Sequence, residues 1–228
     1  LSNIATLSDG SSTAEAYLIR DVVQNGDHNS WGSEEWIALI NTGTIDPYCL
    51  QWGKKDIRYL GVQARYPVVH RLDLTRVAKK RYVQSLKPSV VVAGMAARLE
   101  AAVAPARVMC GKSAVLIQPN EGVCPYALSV LLNSTAFNKL YTGLFAMRAL
   151  NSQAINIGPR QLELLPVPAI DYLSPYDGEL DDSIVDDERC TKMALSHLGQ
   201  LLHCTLSEDA MERVRRTVEV TVKRLMDA

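Results

Sequence analysis

The sequence predicts an α+β fold: a mostly antiparallel sheet with covering helices, followed by C-terminal amphipathic helices. Three observations predict it. Two β-branched runs, SVVVAGM (89–95) and SAVLIQP (113–119), are each long enough for one buried strand. Between Tyr126 and Leu150 the apolar period changes to the helical one. Beyond residue 189, two further segments carry their apolar residues on one face.

Taken in order, IATLSDGSS (4–12) reads as a short strand running into a Gly-Ser turn, and AEAYLIRDVV (14–23) suits helix or strand equally. NGDHNSWGS (25–33) is a polar loop. EWIALINTGTI (35–45) has a strand-like centre, turned by Asn41, Thr42 and Gly43. DPYCLQWGKKDIRYLG (46–61) is loop-like, basic and aromatic. The stretch between the two β-branched runs has turns at Pro105 and Gly111, which suggests an antiparallel pair or meander. In the helical stretch, Leu128, Leu131, Leu132, Phe137, Leu140, Tyr141, Leu144 and Phe145 are expected core residues, and Asn133-Ser134 is placed to end one helix and cap the next. Pro159 fits the first position of a short helix RQLELL (160–165), which Pro166 and Pro168 then stop. These boundaries give three parts: a domain at 1–168, an acidic linker at 169–188, and a helical pair at 189–228. In the last helix Met211, Val214, Val218, Val222 and Leu225 share one face, and Thr205 with Glu208 fits a capping box before it. Two such short helices do not stand alone; they pack on the domain, on each other or on a second subunit as a homodimer.

Composition narrows the chemistry. Of 228 residues, 47% are apolar and 21% charged, enough for a buried core. No apolar run spans a membrane. Leu1 stands without a Met or basic leader, as expected of a fragment. Five cysteines (Cys49, Cys110, Cys124, Cys190, Cys204) form no CxxC, so scattered thiols in a reducing cytoplasm are expected rather than a disulfide or zinc framework. The four histidines lie far apart, and no phosphate-binding glycine loop, nucleophile elbow or metal-ligand spacing occurs. No catalytic machinery and no cofactor are expected in this chain.

The net charge of −1 hides an asymmetry. From Trp52 to Lys112 there are thirteen Lys or Arg against three acids, a local excess of +10, whereas 177–188 holds seven acids and no base. A concentrated positive field suits a polyphosphate partner; the alternative is a solubilised sheet edge or loop. Candidate phosphate contacts are Lys54 and Lys55 in QWGKK, Arg76, Lys79, Lys80 and Arg81 in RVAKKRY, Arg98 and Lys112. Arg98 also has Glu100 as a possible partner. Trp52 either stacks on a base or is buried, with burial expected.

The pieces IATLSDGSSTAEAY, INTGTIDPY with QWG, KPSVVVAGMAARLEAA, GKSAVLIQP, YALSVLLNSTAFNKLY and LNSQAINIGPRQLELLPVP occur in an order that resembles the TaqI-like C-terminal specificity domain of bacterial DNA adenine methyltransferases and fused restriction-modification enzymes. The likeness spans most of residues 1–168; the exit is also similar to target recognition domains of type I specificity subunits. It implies a non-catalytic part that reads double-stranded DNA for a methyltransferase or endonuclease domain upstream, where S-adenosylmethionine is expected to bind. It also gives RALNSQAINIGPR (148–160) a role. Asn and Gln match adenine edges and Arg matches guanine, so Arg148, Asn151, Gln153 and Arg160 are candidate DNA contacts, as are Ser152 and Asn156. The alternatives are that these amides satisfy loop backbone, and that the chain is a protein-interaction module with no direct DNA contact.

Overall fold

The computed structural model describes residues 1–145, 149–150, 154–168, 173, 216, 219–220 and 222–223. The chain runs β1 (Ala5–Asp9), α1 (Thr13–Arg20), β2 (Val23–Asn25), β3 (Trp36–Ile40), β4 (Ile45–Asp46), β5 (Cys49–Leu50), β6 (Ile57–Tyr59), β7 (Val62–Ala64), β8 (Pro67–His70) and α2 (Arg71–Ser85). There follow β9 (Ser89–Ala93), β10 (Met95–Ala96), β11 (Ala101–Ala104), β12 (Val108–Cys110), β13 (Ala114–Pro119), α3 (Pro125–Asn133), α4 (Thr135–Phe145), β14 (Ala149–Leu150), β15 (Ala154–Asn156) and α5 (Pro159–Glu163). This is the α+β architecture expected, with antiparallel pairing throughout except between β12 and β3.

Two four-stranded sheets form the body, one ordered β1-β13-β9-β11 and the other β12-β3-β8-β2. The period-2 alternation of a strand sends successive side chains to opposite faces, and here both faces of the first sheet are buried. Val90 and Val92 of β9, Ala101 and Val103 of β11, and Val115 and Ile117 of β13 pack with Leu128, Leu131, Phe137 and Tyr141 of the α3–α4 layer. Their neighbours Val91, Ala93, Ala102, Ala104, Ala114 and Leu116 face Ala38, Ile40, Val108 and Cys110 of the second sheet. The far face of that sheet, through Ile37, Leu39, Val69 and Met109, meets Ala16 and Ile19 of α1 and Leu74 and Ala78 of α2. The result is four layers: helices, sheet, sheet, helices.

Local choices follow from capping and edge chemistry. The ambiguous segment 14–23 divides into both alternatives: Ser12 and Glu15 form a capping box that starts α1, and β2 follows at Val23. The stretch 46–61, read as loop, also contains the short strands β4, β5 and β6, the last paired with β7. Strands β9 and β13 do pair antiparallel, from Ala93 opposite Ala114 to Val90 opposite Ile117. The chain between them is not a simple meander, because β12 leaves for the second sheet. Asn133 ends α3 as expected, but its amide does more. It accepts from the Ala101 N–H at 2.9 Å and donates to the Ala101 carbonyl at 2.7 Å, which satisfies the first residue on the open edge of β11. Ser134 then caps α4 through the Phe137 N–H.

The linker 169–188 and the helical pair 189–228 lie outside the described residues apart from isolated positions. Leu173 and Val222 are fully buried in the helix-side core, and the Leu173 carbonyl accepts from the Cys124 N–H at 2.6 Å. The Glu219 carboxylate accepts from the Thr135 N–H at 2.9 Å and the Thr135 hydroxyl at 3.0 Å, at the start of α4. Of the apolar face expected in the last helix, Val222 therefore packs on this chain's own domain; Met211, Val214, Val218 and Leu225 lie outside the described residues. An acid at a helix N-terminus contributes about 1 kcal/mol. Glu219→Ala is expected to lower Tm by about 2–4 °C, read by thermal melting; an unchanged Tm would show that this contact does not hold the tail. Among the described residues, no helix is long and apolar enough to cross a membrane.

Candidate nucleic-acid interface

The small sheet β10-β15-β14 carries the segment that the sequence singles out. Met95 lies opposite Asn156 and Ala96 opposite Ile155, while Ala149 and Leu150 of β14 close the hairpin on Ile155 and Ala154. One junction anchors it. The Ile157 N–H donates to the Gly94 carbonyl at 2.9 Å, and the Gly94 N–H donates to the Ser113 carbonyl at 2.9 Å. Thr42 completes the knot: its hydroxyl donates to the Ser113 carbonyl and accepts from the Gly94 N–H at 3.2 Å. A turn after β3, the end of β9 and the loop before β13 thus hold the hairpin against the body.

Two recesses open beside this junction. The first, about 490 Å³, is lined by Asp9, Ser12, Lys80, Arg81, Arg160, Gln161 and Glu163 among others. The second, about 310 Å³, is lined by Asp9, Gly94, Met95, Lys112, Ser113, Asn156 and Gln161 among others. Asp9 and Gln161 border both. Gln161 is only 9% exposed, and no described residue hydrogen-bonds its side-chain amide. It belongs to α5, which Pro159 opens as the sequence predicts and which ends before Pro166.

The structure sorts the candidate cations. Lys80, Arg160 and Lys112 are exposed around these recesses. Arg81 is not a surface cation, and its assignment as a phosphate contact is corrected. On α2 the buried positions are Leu74, Ala78, Arg81 and Ser85; the backbone leaves the helical region at Ala78 (φ −151°, ψ 60°), so α2 is kinked there and Arg81 shares its buried face with Ser85, four residues on. The Arg81 side chain is 8% exposed and pairs with Glu15 at 2.8 Å. It also donates to the Asp9 carbonyl at 3.0 Å and the Gln84 amide oxygen at 2.9 Å. Burial by itself would raise the Glu15 carboxyl, but Arg81 and the backbone and hydroxyl of Ser12 outweigh it and hold the carboxyl at about 2.

Arg76 and Lys79 are exposed on other faces of α2, and Arg76 pairs with Asp73 at 3.1 Å. Lys54 and Lys55 are exposed after β5. Arg98, exposed, borders a separate recess of about 370 Å³ with Asn133, Thr135, Asn138 and Lys139. Nearby, burial pushes the Glu100 carboxyl up, the charges of Arg98 and Lys55 pull it down, and Asp46 adds to the rise. Lys55 and Arg98 thus share the field of Glu100, apart from the group at Lys80, Arg160 and Lys112. The cations of the basic middle therefore do not all gather in one place: Lys80 and Lys112 join Arg160 at the recesses, Lys55 and Arg98 act on Glu100, and Arg76 and Lys79 stand on other faces of α2. Arg148, Asn151, Ser152 and Gln153 lie outside the described residues.

Trp52 is half-buried, as expected. Its indole N–H donates to the Pro67 carbonyl at 3.0 Å, and its ring packs against Trp31 and Tyr66 with centroids 5.1 and 5.3 Å away. Cys110 is buried and its thiol pushed up to about 12 by that burial, which removes it as a nucleophile. Among the described residues, no group of three His, Cys, Asp or Glu is placed to hold a metal ion. Sequence reasoning missed Thr42, Gly94 and Gln161. The only signal was indirect: an Asn-Thr-Gly turn, and a glycine ending a strand. No family model matches the sequence, and no curated protein matches it.

Proposed function

We propose that this chain is a DNA target recognition domain. It holds a duplex in register for a methyltransferase or endonuclease domain elsewhere in the protein or complex, and it carries no chemistry of its own. S-adenosylmethionine would bind that other domain. The observation that carries the reading is the gathering of three exposed cations, Lys80, Lys112 and Arg160, around two adjoining recesses that share the Gln161 side chain, the second of them lined also by Asn156 of β15. Cations on the rim suit phosphates, which set position, while amides suit base edges, which set sequence. Of the tail on which the interaction-module alternative rests, the described residues Glu219 and Val222 are engaged within the chain.

Fluorescence anisotropy with a labelled duplex of about 20 base pairs tests the reading. Binding is expected at about 50 mM salt and is expected to weaken steeply as salt rises. Each phosphate contact contributes about 0.9 to the slope of log K against log salt. The triple variant Lys80→Ala, Lys112→Ala, Arg160→Ala is therefore expected to flatten that slope by about 2–3. Absence of binding at about 50 mM salt, or a triple variant with the wild-type slope, would overturn the assignment of this face.

A further inference from the structure

We propose that Asn156 and Met95 together read one adenine·thymine base pair, with Lys112 on an adjacent phosphate. The proposal rests on the DNA-binding reading above and adds to it the base pair read and the residues that read it.

Asn156 and Met95 are directly opposed across β15 and β10, which places their Cβ atoms about 5 Å apart on one face of the ribbon. Strand alternation makes that face the outer one. Ile155, next to Asn156, is 7% exposed in the helix-side core, whereas Asn156 is exposed and Met95 is 53% exposed. Met95 thus leaves about half of an apolar side chain to solvent beside an exposed asparagine. No described residue hydrogen-bonds the Asn156 side chain. Lys112 and the amide of Gln161, which no described residue hydrogen-bonds, line the same recess, so a polar ligand meets polar groups there.

The chemistry selects the base pair. A side-chain amide accepts from adenine N6 and donates to adenine N7, a two-point match that guanine does not offer. The thymine opposite presents a 5-methyl group in the major groove beside that adenine edge. A flexible thioether is a good partner for a methyl.

The test is selection of bound duplexes from a randomised library by the full chain and by Asn156→Ala, Asn156→Asp and Met95→Ala. The wild-type protein is expected to enrich a motif with at least one A·T position. Asn156→Ala flattens that position alone, with an affinity loss of about tenfold or more. Asn156→Asp moves its preference toward cytosine, whose N4 amine a carboxylate accepts. Deoxyuridine in place of thymidine at that position weakens wild-type binding and leaves Met95→Ala unchanged. A motif whose every position survives Asn156→Ala, or that changes at a G·C position, overturns this proposal and leaves the domain's function standing. Failure to enrich any motif, with no duplex binding by anisotropy, overturns both. Both residues are exposed, so near-wild-type melting of each variant is the expected control; a variant that melts early shows the pair to be structural and overturns the proposal.

Discussion

Arg81→Ala is expected to destabilise the fold by about 3–5 kcal/mol, the range for removing one partner of a buried ion pair. The guanidinium satisfies three separate acceptors: the Glu15 carboxylate, the Asp9 carbonyl and the Gln84 amide oxygen. Truncation leaves the partly buried carboxylate without its counter-charge and opens a void between α1, α2 and β1. In a protein of this size the loss corresponds to a Tm drop of about 10 °C. Arg81→Lys is expected to recover only part of it, since one ammonium does not reproduce the planar fork. Urea unfolding followed by tryptophan fluorescence measures both, and a loss under about 1 kcal/mol in Arg81→Ala would show the pair to be energetically idle. The same pair predicts a pH dependence. The folded Glu15 carboxyl lies at about 2 against an ordinary value of 4.5. Its contribution is therefore complete above about 4.5 and is lost as pH falls toward 2, because the unfolded chain takes up the proton first. Glu15→Gln removes that part of the slope from this window.

That pair also marks where the sequence was legible and where it was not. The buried strands were visible because Val90–Val92 and Val115–Ile117 are β-branched or large apolar runs, as doubly covered strands require. The break at Asn133-Ser134 was visible because short polar residues interrupt an otherwise helical period. The helix 71–85 was hidden by composition: Lys79-Lys80-Arg81 reads as a charge cluster, and one of its three cations lies on the buried face with Ser85. Charge type alone does not tell a surface cation from a buried one; the face of the helix does, and reading it requires placing the helix first. The gathering of Lys80, Lys112 and Arg160 was invisible for another reason. Those residues are distant in order, and only the meeting of α2, α5 and the loop before β13 around the end of β1 brings them together. Asn156 was visible as one amide among several in 148–160. Its pairing with Met95 depends on the β10–β15 register, which two-residue strands do not announce.

The position of the candidate site follows from the layered body. The first sheet is covered on both faces, so neither face is free to meet a ligand. What remains accessible is its rim, where β1, β9 and β13 end and the α5 helix crosses. The hairpin at β14–β15 is attached at that rim by the backbone hydrogen bonds from Ile157 to Gly94 and from Gly94 to Ser113, by the Thr42 hydroxyl, and by the buried side chains of Ile155 and Ile157. Rigid elements set the geometry of the recesses, and Asn156 of the attached hairpin lines one of them, a division of labour common to segments that bind on a fixed scaffold.

Gly94→Val tests that attachment, and its expected effect is the second largest. A Cβ at position 94 would lie 2.3 Å from the Ser113 carbonyl oxygen and 3.0 Å from its carbon. Both obstacles are backbone, held in place by the Gly94 N–H and the Thr42 hydroxyl, so they do not swing aside as a flexible side chain would. Either β9 withdraws from the loop before β13, or the Ile157–Gly94 bond breaks and the hairpin loses its register. The expected loss is about 2–4 kcal/mol. DNA affinity is expected to fall even at temperatures where the variant is fully folded, because Asn156 and Lys112 border the displaced junction. Gly143→Ala is the matched control: a Cβ there meets nothing within 4 Å, and replacing a glycine in the last turn of α4 is expected to stabilise by up to about 0.5 kcal/mol. Thermal melts of the two variants should therefore move in opposite directions. A Gly94→Val protein that melts with wild type and binds duplex equally well would show that the strand end and the hairpin are not coupled through this glycine.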